Sequence, residues 1–543
     1  MGDRGHLFVI DGDLTKVACD AWLLPTDGDF DITDTWVGIF PPEQIETVIH
    51  EDWRIQRLTG VSWNGGGLGT VIKYGEISGV PVYLANIGHL GAHHSVYTGA
   101  VLEFIRLACE AHRPGQGRPR LAINQVGSGH GGGRHVRGGI LEKLIERLES
   151  AMSSGEVEAD VIIASWGEKA EAAAQYLRLA GNEDSYLTSP LWHFSNDNLD
   201  LHSKAKSLAA HFRARNACIF MGAGASGGAK IPTWSELLEQ LASRAFPARP
   251  ADFDSLDHLE KASRLKATMG ADAFADEIKR ALESKKYSLL HGLLSSLPCD
   301  EFITTNVEQL FEEAANSKQR GITILPSLRE HHLIDRWLLK IHGCVSDPSS
   351  LVFTREDYNT SVTSRRALFG VLQAMLLTRH MLFVGYSLSD PDFREIVQEV
   401  RDALPPHDAS DPAPRRKLGT ILTLFTDNEK ISEFEDLFDI VPISSVRAGH
   451  ATAVEAADAI RDLERFIDLI GMLASDRSAF LLDSRYRGLL TPTEQNLATL
   501  LGNIAAAAPE FASANGWTEV WATLRSLGAH PGTIGDQPRP GVK

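Results

Sequence analysis

The sequence predicts an α/β protein with a doubly wound parallel sheet at its centre, on three observations. Short apolar runs of strand length alternate with segments of helical spacing. A glycine turn, Gly222-Ala-Gly-Ala-Ser226, separates one such run, Ala217 to Met221, from an amphipathic helix. Polar or glycine positions then recur where later runs end, at Thr304-Thr-Asn306, Ile341-His-Gly343 and Gly385-Tyr-Ser387 with Asp390. Ligands of open α/β sheets gather at the carboxyl ends of strands, so these positions are expected to line one crevice.

A chain of 543 residues is too long for one ordinary domain. With 43% hydrophobic and 23% charged residues it has the composition of a folded soluble protein. No apolar run reaches membrane-spanning length, and the polar start Met1 to His6 lacks the pattern of a signal peptide. A formal charge of −18 disfavours a nucleic-acid surface, which needs a concentrated basic face. The five cysteines have no paired spacing, which fits a reducing, cytoplasmic compartment and offers no zinc motif. No metal is expected.

The first 180 residues alternate strands (Leu7–Ile10, Ala21–Leu24, Pro81–Leu84, Leu121–Ile123, Asp160–Ala164) with helices over Thr98–Ala111, Ile140–Met152 and Lys169–Leu179. Residues 181–202 lose that pattern and are expected to link two domains. The second domain, 203–450, opens with a helix near Ser203–Arg213. Its strands are expected at Ala217–Met221, Glu301–Thr305, Leu338–Ile341, Met381–Val384 and Thr420–Phe425. Leu404 to Arg416 is Pro- and Asp-rich and predicts an exposed loop. Residues 451–543 turn helical, through Ile460, Leu463 and Phe466 and again over Glu494–Ala507, before a frayed end at Gly532–Lys543.

In the second domain Thr233-Trp-Ser-Glu236 has the form of a capping box, so a helix starts there. Gly222 and Gly224 lack a Cβ, which permits a sharp turn and close approach of a ligand; exposed amides in such a loop suit a pyrophosphate. Glycine in such a turn also serves plain packing. Asn306 can hold a ribose hydroxyl or a water through its amide, or else cap the following helix. His342 ends a strand before Gly343, and a histidine there suits general-base work on a hydroxyl or water. Ser387 and Asp390 suit either ligand contact or a helix cap.

In this order, these motifs with Pro232-Thr-Trp resemble the sirtuin-like fold over about residues 203 to 445, closest to bacterial NAD-consuming proteins of phage defence. The resemblance implies that Gly222, Ala223, Gly224 and Ser226 hold NAD+ together with Thr305, Glu308, Gly385, Ser387 and Asp390. It places the chemistry on Asn306 and His342. Protein deacylase sirtuins carry a four-cysteine zinc module and Asp-Phe-Arg after the proline; this chain has no Cys-x-x-Cys and has Thr233-Trp-Ser235. Deacylation is therefore disfavoured. Defence-type relatives often have Asn-Tyr-Asp where Asn306-Val-Glu308 stands here.

Residues Val9-Ile-Asp-Gly-Asp-Leu-Thr15 and the glycine-rich Gly127–Gly133 resemble a macro domain, which binds ADP-ribose; the adenine-contacting aspartate maps to Asp13. Leu24-Pro-Thr-Asp27 stands where that family has Asn-Ala-Ala-Asn. The expected protein is thus an NAD+ glycohydrolase, acting on NAD+ as substrate in abortive antiphage defence. A macro-like module would precede the catalytic domain and sense an ADP-ribose-like regulatory nucleotide. The protein is expected to be a homo-oligomer, without nucleic-acid or membrane partners. The rival expectation is a non-hydrolytic sensor of NAD or ADP-ribose that signals to a partner.

Overall fold

The computed structural model describes residues 4–530 except 51–52, 89–91, 114–116, 127–136, 180–183, 197–199, 285, 318–320, 327–334, 389 and 405–415. The glycine-rich stretch Gly127–Gly133, most of the Leu404–Arg416 loop and the Gly532–Lys543 end lie outside the described residues. The chain divides into two compact units: residues 1–15, 19–193 and 475–543 in one, residues 16–18 and 194–474 in the other. No helix among the described residues is long and apolar enough to cross a membrane.

The first unit is mixed α/β. Its strands are β1 (Leu7–Asp11), β2 (Ala21–Thr26), β3 (Asp31–Ile32), β4 (Ile45–His50), β5 (Trp53–Leu58), β6 (Val71–Ile77), β7 (Val80–Asn86), β8 (Arg120–Asn124) and β9 (Asp160–Ser165). Six form a sheet in the order β1-β9-β8-β2-β7-β6, parallel except for the antiparallel edge strand β6. The other three make a small antiparallel sheet, β3-β5-β4. All of β1 and β9 is buried, the pattern of strands covered on both faces.

The C-terminal segment from residue 475 packs within this first unit. At Gly138, in the helix Arg137–Ser154, an added Cβ would meet Leu489 Cγ at 2.9 Å. Lys169 Nζ also donates to the Gly528 carbonyl at 2.8 Å. The long helix Ala453–Ala474 belongs instead with the second unit, where it packs on the helices Leu201–Arg213 and Leu289–Ser296. Its Asp462 accepts from the backbone N–H and the hydroxyl of Ser195, at 2.8 and 2.5 Å. The helical tail predicted as one extension is therefore divided between the two units.

The second unit is built on seven parallel strands: β10 (Ala217–Met221), β11 (Glu301–Thr304), β12 (Thr323–Leu325), β13 (Trp337–Lys340), β14 (His380–Val384), β15 (Gly419–Thr423) and β16 (Phe438–Pro442). Their order is β12-β13-β11-β10-β14-β15-β16. From β10 the chain builds outward on one side through β11, then returns to lay β14 on the other, so the order reverses at β10. Side chains alternate across the sheet. Cys218, Phe220, Met381 and Phe383 accordingly share an apolar cluster with Leu372 and Leu376 of one helix and Phe393, Ile396 and Val400 of another. β10 is buried along its whole length, so both faces are covered.

Between β10 and β11 lies a helical layer, Trp234–Ala245, His258–Met269 and Ala271–Ala281. The predicted capping box is formed, with Thr233 and Glu236 satisfying each other's backbone donors. An N-cap of this kind is worth about 1 kcal/mol. Leu237, Leu241, Phe253, Leu265 and Phe274 of this layer pack on Val307, Val345 and Phe353, which follow β11 and β13. The layer thus braces the segments that carry Asn306 and His342.

Candidate active site

Strand register brings the predicted positions to one level. Met221 pairs with Thr304 and with Val384, and Thr304 pairs with Lys340. Gly222, Thr305, Ile341 and Gly385 therefore each stand one residue past the end of four adjoining strands, about 4.8 Å apart. This is the carboxyl edge at the reversal of strand order, where α/β sheets bind ligands.

The glycines serve the approach of one loop to another. An added Cβ at Gly222 would meet Gly385 O at 2.6 Å and Tyr386 Cα at 2.7 Å; one at Gly224 would meet Gly385 Cα at 2.9 Å. Gly385 itself has φ +65°, and its Cβ would lie 2.3 Å from Ala225 N. The N–H groups of Gly222, Gly224 and Ala225 donate to the carbonyls of Val384, Gly385 and Gly222. Ala223 and Gly224 face solvent, while Ser226 is buried.

Asn306 is the centre of the best-defined polar group. Its Nδ2 lies 3.1 Å from Gly222 O, 3.1 Å from Ser226 Oγ and 3.0 Å from Glu308 Oε1. A carbonyl and a carboxylate can only accept, so the amide nitrogen must face inward. Oδ1 is left as the outward-facing acceptor. The backbone N–H of Asn306 donates to Thr304 Oγ1 at 2.9 Å. In the helix that follows, Leu310–Asn316, the N-cap position is Gln309, whose side chain makes no cap bond, so Asn306 is not its cap.

Glu308 stands behind the loop. It is 5% exposed, and both its oxygens are occupied: Oε1 by Ser226 (2.5 Å) and Asn306, Oε2 by the Leu310 N–H at 2.9 Å. Burial opposes its charge, but the neighbouring His291, Lys340 and these hydrogen bonds outweigh burial and hold its pKa below the ordinary value. Sequence reasoning missed the support beneath it. His291 is buried, with Nε2 3.4 Å from Ser226 Oγ and Nδ1 3.0 Å from Ser288 Oγ, and burial lowers its pKa. Buried Lys340 pairs with Glu312 and also donates to the Glu308 carbonyl. His291 sits in the apolar run Leu289-Leu-His-Gly-Leu-Leu294, where nothing local marks it out.

A carboxyl with a depressed folded pKa stabilises the fold above its unfolded value, and that contribution fades as pH falls through the folded value. Glu308→Gln is accordingly expected to lower the urea midpoint at pH 7 more than at pH 4. Equal losses at both pH values would contradict a charged Glu308.

His342 and Asp390 form a second pair. His342 is 8% exposed, and its Nε2 lies 3.2 Å from Asp390 Oδ2, at ion-pair distance but off hydrogen-bond geometry. The imidazole meets the Tyr358 ring edge-on, with centroids 5.3 Å apart. Gly343 has φ +81°, and a Cβ there would lie 2.0 Å from Ser350 O, so the turn after the histidine requires glycine. Asp390 also caps the helix Pro391–Ala403 through the Asp392 N–H.

Asp390 comes from the loop after β14, three strand positions from β13, or about 14 Å. The chain leading there is bent, with φ +65° at Gly385 and φ +60° at Leu388. Ser387 in that segment is exposed. Among the described residues, His342, Asp390 and Asp392 are the group whose ligand atoms converge within 4.8 Å, close enough for one cation.

Residues 300–437 match the family described as the SIR2-like domain. The chain is 30% identical over 208 residues to "NAD(+) hydrolase ThsA" of Enterococcus faecium, covering 34% of this chain and 40% of that protein. It is 26% identical over 206 residues to the protein of the same name from Bacillus cereus, covering 36% and 42%. To "Defense-associated sirtuin 2" of Bacillus subtilis it is 20% identical over 203 residues, covering 36% and 20%. The chain thus spans about two fifths of the length of the first two relatives. The match to the SIR2-like domain runs from β11 past β15 and takes in Asn306, His342 and Asp390.

Proposed function

We propose that the second unit is an NAD+ glycohydrolase, cleaving NAD+ to nicotinamide and ADP-ribose, or to a cyclic form if a group of the substrate attacks instead. The observation that carries this reading is the locked Asn306 amide, one strand away from His342. A pure sensor needs neither an acceptor held in one orientation nor a buried imidazole beside it. Relatives named NAD(+) hydrolase, 30% and 26% identical to this chain, support it.

Cleavage breaks the bond between the ribose C1′ and the nicotinamide nitrogen. The electron pair leaves with the pyridinium, which becomes neutral nicotinamide, and positive charge develops on the ribose. Asn306 Oδ1, an acceptor only, would take a hydrogen bond from the attacking water or a ribose hydroxyl and hold it in line. His342 would take the proton as the water oxygen bonds to C1′, with Asp390 steadying the imidazole. Glu308 acts one layer back, through Asn306 and Ser226. With the Gly222, Gly224 and Ala225 amides already engaged, the exposed turn at Ala223 is the part left to meet the phosphates. Thr305, Gly385 and Ser387 would border the same crevice.

The same reading places the protein in abortive antiphage defence in the cytoplasm, depleting NAD+ as a homo-oligomer. The first unit is read as macro-like, holding an ADP-ribose-like regulatory nucleotide near Asp13, whose Oδ1 accepts from both the N–H and the hydroxyl of Thr15 at 2.8 and 2.7 Å. Purified protein incubated with NAD+, with and without extract from phage-infected cells, should release nicotinamide. Binding of NAD+ without release in either condition would favour the sensor.

A further inference from the structure

A cavity of about 640 Å³ lies in the second unit at the other end of the sheet from the crevice. Asn216, just before β10, His380, the first residue of β14, and Lys417, two residues before β15, all line it. Three basic residues line it, Lys204, Arg416 and Lys417, against one carboxylate, Asp439. None of the three pairs with a described carboxylate. Arg416 donates to the Arg379 carbonyl at 3.1 Å, and Lys417 to the carbonyls of Glu435 and Asp436. Those partners are neutral, so with Asp439 the one lining carboxylate the cavity keeps a net positive charge. In a chain of net charge −18 this is a local reversal of sign, which favours small anions over the rest of the surface.

The wall beside these cations includes two histidines. His211 and His380 stack with centroids 4.0 Å apart and planes 14° from parallel. His380 Nε2 is 2.9 Å from Thr420 Oγ1, which holds the inner ring in place. Burial pushes the His380 pKa down to about 3, helped by His211 and Arg416, and burial lowers that of His211 as well. Both rings are thus neutral near pH 7, able to donate or accept beside the cations.

We infer that this cavity binds a phosphate-bearing small molecule, its phosphate held by Lys204, Arg416 and Lys417 and its remainder against His211 and His380. The volume lies in the range of organic-ligand pockets and far exceeds what a free phosphate ion fills. The site is separate from the crevice at the carboxyl ends, and the inference stands whether or not that crevice cleaves NAD+.

Calorimetric titration of the full chain with ribose 5-phosphate, pyrophosphate and inorganic phosphate tests it. The expected result is saturable binding that weakens with added salt, is kept in Asn306→Ala, and falls at least ~10-fold in Lys204→Ser/Arg416→Ser, as loss of two charge-assisted contacts requires. Arg416→Gln alone, at an exposed position, should weaken binding ~3-fold and guards against misfolding of the double variant. Tighter binding of ribose 5-phosphate than of the ions assigns an organic phosphate; equal binding assigns the free ion, still at these cations. No saturable binding of any of the three, or unchanged affinity in both variants, overturns the inference.

Discussion

Asn306→Asp is expected to lower the turnover of NAD+ by about 10²–10³-fold, the usual loss when a preorganised polar group at the reacting centre is removed. Asparagine and aspartate have the same shape, so packing is conserved and the argument rests on hydrogen-bond polarity alone. In the native site Nδ2 donates toward the Gly222 carbonyl and the Glu308 carboxylate. In the variant an oxygen would face both acceptors, and two carboxylates would share one half-buried space. The new side chain must rotate away or take up a proton, and either move displaces Oδ1. Aspartate should therefore be no better than Ala at this position, although it keeps an acceptor. If Oδ1 acts mainly in the transition state, kcat should fall while KM changes only a few-fold. Glu308→Asp should recover part of the activity that Glu308→Ala loses, because a carboxylate near Ser226 still holds the amide. Near-wild-type kcat in Asn306→Asp would remove Asn306 from the chemistry.

What the sequence made legible follows from how locally each feature is encoded. Ala217–Met221 is an unbroken apolar run ending in glycine, and the structure gives β10 those bounds. Asn306 and His342 could be singled out because each stands just past such a run, and strand register then aligns them. β16 was not foreseen: Phe438-Asp-Ile-Val-Pro442 is short, holds an aspartate and ends in proline, and only pairing with β15 makes it a strand. The β3-β5-β4 sheet escaped for a similar reason, since Ile45-Glu-Thr-Val-Ile-His50 has weak alternation and gains its partner from the next hairpin strand.

Long-range pairings were beyond reach in principle. Gly222 and Gly224 looked like a loop shaped for a ligand, whereas the space of their missing Cβ atoms is filled by Gly385 and Tyr386, more than 150 residues later in the chain. Glu308 looked like a ligand contact two residues beyond Asn306. The β11 turn instead carries it inward, against Ser226 and above Lys340. Asp390, which caps its own helix, also lies 3.2 Å from His342, 48 residues earlier in the chain.

That pair leads to the second large effect. His342→Ala should abolish NAD+ cleavage, a loss of about 10²–10⁴-fold for removal of a general base. Loss of activity alone would not separate a base from a structural histidine, because the residue is buried and its neighbours pack on it. Asp390→Asn provides the separation. Asparagine retains an oxygen to accept the Asp392 N–H, so the helix cap and the fold should persist. What disappears is the negative charge 3.2 Å from Nε2. An imidazole that takes a proton in the transition state is stabilised by that charge as the proton arrives; a structural imidazole gains nothing from it. Asp390→Asn should therefore reduce kcat ~10–100-fold with little change in melting temperature. Asp390→Ala should lose a similar factor in kcat and also some stability, about 1 kcal/mol for the cap. Equal kcat in wild type and Asp390→Asn, with His342→Ala inactive only because it unfolds, would leave His342 a structural residue and require another base.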